Sequence, residues 1–465
     1  MNLSMTMDKG TSRLIYGWLI LSVFSLVFAG IFALMVALAR TPVIEDMLPL
    51  GRDYIYVALV GHVVLAVVIW FLAFEGFLWM YTTTIRLGRG VASVGLGWAS
   101  LAFAGTGMAL IVAASLFGLG TAELANYVPV LLSPVFYAGL ILFAAGIALN
   151  LINTFLTALS ARKDGVALPV LTVGMLSAGA AVFMAFVCFA LSAYFQLYTG
   201  KIFLDFERLF WGGGHILQFA NTISMVTVWL YLASLTFRNE PIGKGFAKLL
   251  YAFYLVFIIP APFIFFMYDT SSQAYKDSFT TLMRWGLGPS TTIFTLAVLS
   301  VFSTGKRPWK EPGFSSLVLS IAIFFLGGLI ALDISGVNTK IPAHYHCVIG
   351  AVTIAFMGLF YELMPRLGRA IYSRRLATIQ PYLYSAGIVL FAIGLYMAGA
   401  HGVARKTYGS EQNLNNAWKL LGMSIMGVGG LVAIAGGIAF VWNALFTLLG
   451  KERAVVSSGG TEPVA

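Results

Sequence analysis

The chain is poor in charge and almost free of cysteine. Only 10% of its 465 residues are charged and 60% are hydrophobic, whereas about a quarter of a soluble domain is charged. This composition excludes a soluble enzyme and predicts a polytopic membrane protein. The two cysteines, Cys188 and Cys347, lie in apolar segments, so no disulfide framework is expected. The sequence has no Cys-x-x-Cys-His, which excludes covalently attached c-type haem.

Twelve apolar runs are long enough to cross a bilayer. We predict an all-α fold, a bundle of about 12 transmembrane helices that forms a single integral membrane domain over residues 1–465. The first run is too long for a signal peptide and is predicted to be retained. Residues 454–465 are polar and are expected to be a disordered tail. The predicted spans are 14–39, 54–82, 91–118, 127–158, 166–197, 205–236, 245–268, 280–303, 314–333, 342–365, 380–402 and 418–448.

Lysine and arginine are unevenly distributed between the two sides of the predicted bundle. Of 28 such residues, 18 fall on the side that holds both termini and ten on the other side. The positive-inside rule then predicts that both termini are cytoplasmic. The membrane itself is expected to be a bacterial or archaeal inner (plasma) membrane. This distribution accounts for the net charge of +10, so we expect no nucleic-acid partner.

The five histidines all lie at the outer ends of predicted spans. They are His62, His215, His344, His346 and His401. This common depth predicts a cofactor layer near the outer face, since ionisable groups inside a membrane are costly and usually functional. His344 and His346 are two residues apart, about 200° around a helix, so they could serve two cofactors on opposite flanks. Polar residues at the membrane interface are the alternative.

The histidines on spans 2, 6 and 10, together with the motif His344-Tyr345-His346, resemble subunit I of the haem–copper oxidase superfamily. That superfamily includes cytochrome oxidases and nitric oxide reductases. The resemblance implies two non-covalent haems of b-, a- or o-type. His62 and His346 would ligate a low-spin haem, and His344 would ligate a high-spin haem with an open sixth position.

The outer loop after span 11 resembles the Arg-Arg loop of the family. Arg405 and Lys406 would then bind haem propionates, because carboxylates near an apolar edge need cationic partners; a solvated loop is the alternative. His401 has no clear counterpart in the family. It is interpreted as an interface histidine that could contact a propionate.

Span 6 departs from the family pattern around its histidine. The stretch Trp211 to His215 resembles the segment that carries one ligand of the second metal, and Gln218 shares a face with His215. The tyrosine or glutamate of the family four residues later is Phe219 here, and the family's His-His pair falls on Ala261-Pro262. A copper site with three imidazoles therefore cannot be assembled.

Three interpretations of His215 remain open at this point. A second metal, non-haem iron or copper, could be held by His215 with Gln218, or with a group such as Tyr254, Tyr268 or Asp269. Alternatively the second metal is absent and His215 is a distal-pocket residue that faces the open haem. A purely structural hydrogen bond is the third interpretation.

Two acidic residues, Glu75 and Glu362, lie toward the inner ends of their predicted spans. An ion pair with Arg86 or Arg366 is favoured there over a role in proton transfer. The lysine of the family's proton path corresponds to Ile293 here. Proton pumping is therefore not expected.

The resemblance implies a membrane haem oxidoreductase. Electrons would pass through the His62/His346 haem to the His344 haem, where O2 or NO would be reduced beside His215 and Gln218. A cytochrome c or cupredoxin type partner subunit, or a quinol, would supply the electrons. The alternative is a catalytically inactive homologue that serves as an electron-transfer, gas-sensing or assembly subunit, and a third possibility is a twelve-span transporter without cofactor.

Overall fold

The computed structural model describes residues 8–42, 44, 51–198 and 203–450; the predicted tail 454–465 lies outside them. Two-residue strands β1 (Ala122–Glu123) and β2 (Val130–Leu131) pair antiparallel, and the rest of the fold is helical. The α-helices are α1 (Lys9–Ala39), α2 (Arg52–Val63), α3 (Trp70–Thr83), α4 (Val94–Leu116), α5 (Pro134–Lys163), α6 (Val170–Tyr198), α7 (Phe206–Phe237), α8 (Lys244–Ile258), α9 (Ala261–Met267), α10 (Gln273–Ser300), α11 (Pro312–Leu332), α12 (Lys340–Arg366), α13 (Arg374–Ala400) and α14 (Ala417–Leu449).

The prediction of an all-α bundle is confirmed, because the described residues contain 12 helical segments long and apolar enough to cross a membrane. One span combines α2, a π-helical turn at Val64–Ile69 and α3. Another combines α8 and α9. The break between α8 and α9 falls at Pro260, since proline lacks the N–H that a continuous helix requires.

Glycines allow the last two helices to pack at very short range. A Cβ atom on Gly387 would lie 2.1 Å from the backbone nitrogen of Ala433, and one on Gly394 would lie 2.3 Å from that of Met426. Only a residue without a side chain fits these positions. Lipid tails supply no hydrophobic force between helices, so close backbone packing of this kind is a main source of association in a membrane.

The spans that carry the candidate ligands are the most buried of the bundle. In α7 and α12, 83% of the most apolar window is buried, and the corresponding figure for the α2–α3 span is 67%. A helix that is apolar on all sides belongs in the interior. His62, His215, His344 and His346 therefore lie on central helices.

Two ends of the bundle can be distinguished by their contacts. We call the end of the bundle near His62, His344 and His346 the histidine end. There the side chain of Arg52 pairs with Glu411 at 3.0 Å. At the opposite end, the Tyr16 hydroxyl donates to the Leu367 carbonyl at 2.7 Å, and Arg369 donates to the Leu448 carbonyl at 2.6 Å. The start of α1 and the end of α14 therefore lie at the same end, as an even number of spans requires.

Candidate functional site

A cavity of about 940 Å³ extends along both flanks of α12 from the histidine end and continues along α14 as far as Leu445 and Phe446. Its volume is near the upper end of the range for ligand sites, about 300–1,000 Å³. The walls are largely apolar and come from α1, α2, α7, α13 and α14 among others. Its polar and charged lining residues include Arg40, His62, Gln218, Asn221, His344, His346, Arg405 and Lys406.

Three of the lining histidines share one hydrogen-bond arrangement. In each, ring Nδ1 faces a backbone carbonyl: 3.1 Å from Ala29 for His62, 2.8 Å from Gly327 for His344 and 2.7 Å from Pro342 for His346. A carbonyl can only accept, so Nδ1 carries the proton and Nε2 keeps a free lone pair. Within the described residues no hydrogen bond engages Nε2 of these rings. Metal-binding histidines are oriented in this way.

His62 and His346 share the flank of α12 that faces α1, α13 and α14. Both imidazoles line the same cavity, and the ring of Phe391 lies 4.5 Å from that of His346. The π-helical turn begins two residues after His62, and such turns are frequently found at functional sites. Two imidazoles with free Nε2 atoms on an apolar cavity fit the axial ligation of a low-spin haem.

His344 faces the other flank, toward α7 and α11. There the cavity wall includes Gln218, Asn221 and Thr222 of α7. The two side-chain amides make no hydrogen bond to another described residue, so their donors and acceptors remain available to the cavity. Gln218 was predicted from the sequence. Asn221 was missed, although its position three residues later places it on the same helical face.

His215 does not line the cavity. Its Nδ1 donates to the Trp211 carbonyl at 2.8 Å, so its Nε2 accepts from the Tyr127 hydroxyl at 3.0 Å. Thr280 Oγ1 lies 3.4 Å from the same nitrogen. Burial raises the pKa of Tyr127 well above its usual value, so its hydroxyl keeps the proton that it donates. Both nitrogens of His215 are therefore already engaged.

The loop that carries Tyr127 is fixed across the histidine end. Asn126 contacts the Glu207 carboxylate twice, each time at 2.6 Å, and Lys406 donates to the Leu124 carbonyl. Tyr127 has φ of 67°, a conformation uncommon outside glycine. A Cβ on Gly214 would lie 2.3 Å from the Tyr127 ring, so this glycine makes room for the loop. No local sequence pattern indicated this arrangement.

The residues considered for a second metal are not brought together. Tyr254 bonds to Thr291 at 2.8 Å, Asp269 accepts from Ser271 at 2.7 Å, and Tyr268 is 36% exposed. In the described part of the chain no group of three or more His, Cys, Asp or Glu residues could hold a metal ion.

The three residues that stand at the family's second-metal positions have structural roles instead. Ala261 and Pro262 begin α9 just beyond the break in its span. The buried Phe219 ring fills the space beside Gly286 of α10, where a Cβ would lie 2.6 Å from it. The residues present therefore do not fit a second metal centre.

Three basic residues line the cavity, two of which were predicted. Burial lowers the pKa of Arg40 to about 10, and its Nε and Nη2 have no hydrogen-bond partner among the described residues. The same is true of Arg405 Nε. Burial, followed by the charge of Arg405, lowers the pKa of Lys406 to about 8. Such groups fit carboxylates. Arg40 was missed because it was counted only as one of the ten positive charges on the outer side.

His401 is separate from the cavity. It is exposed, its Nδ1 lies 2.9 Å from the Met397 carbonyl, and its ring stacks on Trp418 with centroids 5.8 Å apart. Its position agrees with the interpretation as an interface histidine.

Known proteins resemble this chain over nearly its whole length. The family model for cytochrome c and quinol oxidase polypeptide I matches residues 13–443. An uncharacterized protein of Aquifex aeolicus (strain VF5) is 31% identical over 388 residues, which are 82% of this chain and 92% of the relative. One of Rickettsia prowazekii (strain Madrid E) is 30% identical and covers 96% of this chain and 99% of its own.

Two better-described proteins are more distant. A cytochrome c oxidase subunit 1 of Thermus thermophilus is 24% identical over 89% of this chain and 79% of its own. A cryo-EM structure of a heme-copper terminal oxidase dimer superposes with a TM-score of 0.80 at 18% identity, covering 96% of this chain and 85% of that one. At that identity the likeness concerns the fold alone.

Proposed function

Because the chain belongs to the family of cytochrome c and quinol oxidase polypeptide I, we propose that it is a membrane haem oxidoreductase with non-covalent haems on the two flanks of α12. The observation that carries this proposal is the set of three cavity-lining histidines whose Nδ1 protons are held by backbone carbonyls. That arrangement leaves three nitrogen ligands directed to one cavity.

His62 and His346 would hold one haem from both sides, and His344 would hold the other from one side. When bound, haem would supply one-electron transfer on the first flank and binding of a diatomic gas such as O2 or NO on the second. Arg40, Arg405 and Lys406 would pair with the propionates. The apolar walls exclude water from the region between these groups.

On the His344 flank we propose that protein amides take the place of a second metal. Gln218 and Asn221 can donate hydrogen bonds into the cavity, and their uncommitted side chains support this role. His215 would act indirectly, since it holds Tyr127 and the loop that closes this flank.

The membrane arrangement follows from the charge distribution. The histidine end would face outward, both termini would be cytoplasmic, and the membrane would be a bacterial or archaeal inner membrane. Electrons would come from a partner subunit of cytochrome c or cupredoxin type, or from a quinol.

A second candidate function is that of a homologue without turnover, which transfers electrons or binds a gas as a sensor or assembly subunit. This candidate is favoured because both ring nitrogens of His215 already form hydrogen bonds and are not free to bind a second metal. It shares the haem sites with the first candidate. The two differ only in whether the bound gas is reduced.

Purified protein should be tested by counting haem and metals, with reduced-minus-oxidised spectra recorded with and without carbon monoxide. We expect two haems per chain, one of which shifts with carbon monoxide, and no further iron or copper. Consumption of O2 or NO with a chemically reduced donor then separates the oxidoreductase from the inactive homologue. A further stoichiometric iron or copper beyond the two haem irons would contradict the proposal that amides replace the second metal. A colourless protein would exclude both candidate functions and favour a transporter.

A further inference from the structure

Glu75 is a buried carboxylic acid for which the proposed haem sites have no use. Its side chain is fully buried in α3, and neither carboxyl oxygen has a hydrogen-bond partner among the described residues. Glu362, the other acidic residue near the inner end of a span, does form the predicted ion pair, with Arg366 at 3.0 Å. No such ion pair with a described residue is found for Glu75.

The hydroxyl of Ser224 in α7 lies near this carboxyl group, although neither group forms a hydrogen bond with a described residue. An ionised carboxylate without a cationic partner is strongly destabilised in an apolar interior. A protonated carboxyl group avoids that penalty. Burial without a partner therefore favours a side chain that holds a proton.

Glu75 and Ser224 lie just beyond the floor of the cavity. Phe71, one helical turn before Glu75, lines the cavity, and so does Asn221, one turn before Ser224. These spacings correspond to about 6 Å and about 4.5 Å along the respective helix axes. Along α3 and α7 the pair therefore lies between the cavity-lining residues and the opposite end of the bundle.

Other buried polar atoms on the surrounding helices also lack partners among the described residues. Asn150 of α5 contacts the backbone beside Glu75, donating to the Gly76 carbonyl at 3.2 Å, while its Oδ1 is unpartnered. Trp79 Nε1, one turn after Glu75, and Ser224 Oγ are also unpartnered. Buried polar groups are normally hydrogen-bonded to protein or water, so this cluster is suited to hold water.

Further polar side chains follow Ser224 along α7 toward the opposite end of the bundle. Tyr231 lies seven residues after Ser224, on the same face of α7. Its hydroxyl lies 3.4 Å from that of Tyr81, and the Arg86 guanidinium lies 5.6 Å from the centre of its ring. One face of α7 thus carries Asn221, Ser224 and Tyr231 in order from the cavity outward.

We propose that Glu75 and Ser224 form a buried, hydrated proton-holding site that supplies the cavity from the opposite end of the bundle. The supply role rests on the proposed function, since reduction of O2 or NO consumes protons. In each step the O–H bond of the carboxyl group breaks toward the cavity, and a proton from water at the opposite end restores it. Ser224 orients the carboxyl group, and the line through Tyr231 is the route of return.

Infrared spectroscopy tests whether the Glu75 carboxyl group is protonated, and the test does not depend on bound haem. The carbonyl stretch of a protonated carboxyl group is separate from that of carboxylates and amides, and it shifts in D2O. We expect an H2O-minus-D2O band in the wild-type protein that is lost in Glu75→Gln, retained at a shifted position in Glu75→Asp, and unchanged in the matched control Glu362→Gln. An unchanged band in Glu75→Gln would overturn the proposal.

A second measurement tests the supply role. With both haems retained, Glu75→Gln should lower the rate of gas reduction at least about tenfold, the equivalent of roughly 1.4 kcal/mol in the barrier, while leaving chemical reduction of the haems unaffected. Glu75→Asp should recover part of the rate. If the protein carries no haem, the proposed function fails, and the infrared result still decides whether Glu75 holds a proton. If gas reduction remains rapid in Glu75→Gln, only the role of Glu75 in proton supply fails.

Discussion

The two flanks of α12 differ in the number of histidine ligands that they offer to a cofactor. We call the flank with His62 and His346 the closed flank and the flank with His344 the open flank. On one flank, His62 and His346 offer two free Nε2 atoms and the walls are apolar. On the other, His344 offers one, and the facing wall presents the amides of Gln218 and Asn221. A site with both axial positions occupied can only exchange electrons, whereas a site with one open position can also bind a ligand. Substitutions on each flank test this contrast.

Loss of one ligand from the closed flank should have the largest effect. His346→Ala removes one of the two imidazoles that we propose as axial ligands, and we expect the haem count to fall from about two to about one per chain. The remaining haem should still shift with carbon monoxide. His401→Ala is the control, because that ring is exposed and lies outside the cavity. Equal haem loss in both variants would mean that the effect is general instability.

Replacement of His344 should produce the complementary result. In His344→Ala the single ligand of the open flank is lost, so the spectrum should keep the bis-histidine haem and lose the response to carbon monoxide. Difference spectra of the two histidine variants, recorded side by side, check the assignment. A variant that keeps its carbon monoxide response would show that the flanks have been assigned the wrong way round.

His215 should matter for stability and not for metal content. In Tyr127→Phe the Nε2 of His215 loses its donor at 3.0 Å, and a lost buried hydrogen bond costs about 1 kcal/mol. We expect a lower thermal unfolding temperature with unchanged haem, iron and copper content. The matched control is Tyr54→Phe, whose hydroxyl binds the Leu116 carbonyl at 2.9 Å in an exposed setting. Loss of a metal in Tyr127→Phe would restore the interpretation of His215 as a metal ligand.

The side-chain amides of Gln218 and Asn221 should slow the dissociation of a bound gas by a modest factor. Gln218→Leu or Asn221→Leu removes a donor worth about 1 kcal/mol, so carbon monoxide should dissociate about fivefold faster. The bis-histidine haem should keep its spectrum in both variants. Flash photolysis measures the effect, with Thr222→Val on the same wall as the comparison. Identical kinetics in the wild-type protein and all three variants would remove the amides from the proposed pocket.

Lys406 should give the smallest effect, and one that depends on pH. Burial lowers its pKa to about 8, and a propionate would raise it, so haem binding takes up a proton above that pH. Haem affinity should therefore fall as the pH rises beyond about 8. Lys406→Arg should remove this dependence while affinity is kept, and Lys406→Met should remove it while affinity is reduced. Transfer of haem to an excess of acceptor globin provides the measurement; a steep loss that persists in Lys406→Arg would exclude Lys406 as its cause.

The fold was predictable because a bilayer restricts the possible structures. Runs of about 20 apolar residues have few alternatives to a spanning helix, and all twelve predicted spans occur in the structure. The break at Pro260 was missed even though proline is a clear signal for it. The π-helical turn after His62 has no comparable signal in the sequence.

The candidate site was predictable only where one helix supplies the geometry. His344 and His346 face different flanks because two helical positions are about 200° apart. The partner of His215 is a tyrosine 88 positions earlier, which no local pattern could indicate. Arg40 was overlooked for a different reason, since a single arginine at a span end carries no local signal that distinguishes a loop residue from a buried anion site.

The placement of His344 and His346 on one continuous helix also fixes how far apart their cofactors can be. Electron tunnelling falls off exponentially with distance, so a separation that fluctuates would give a fluctuating rate. Here both ligands lie in the first turns of α12, which is among the most buried helices of the bundle. The helix thus acts as a rigid spacer, and the transfer rate between the flanks would be set by its backbone and would be insensitive to movements of the surrounding loops.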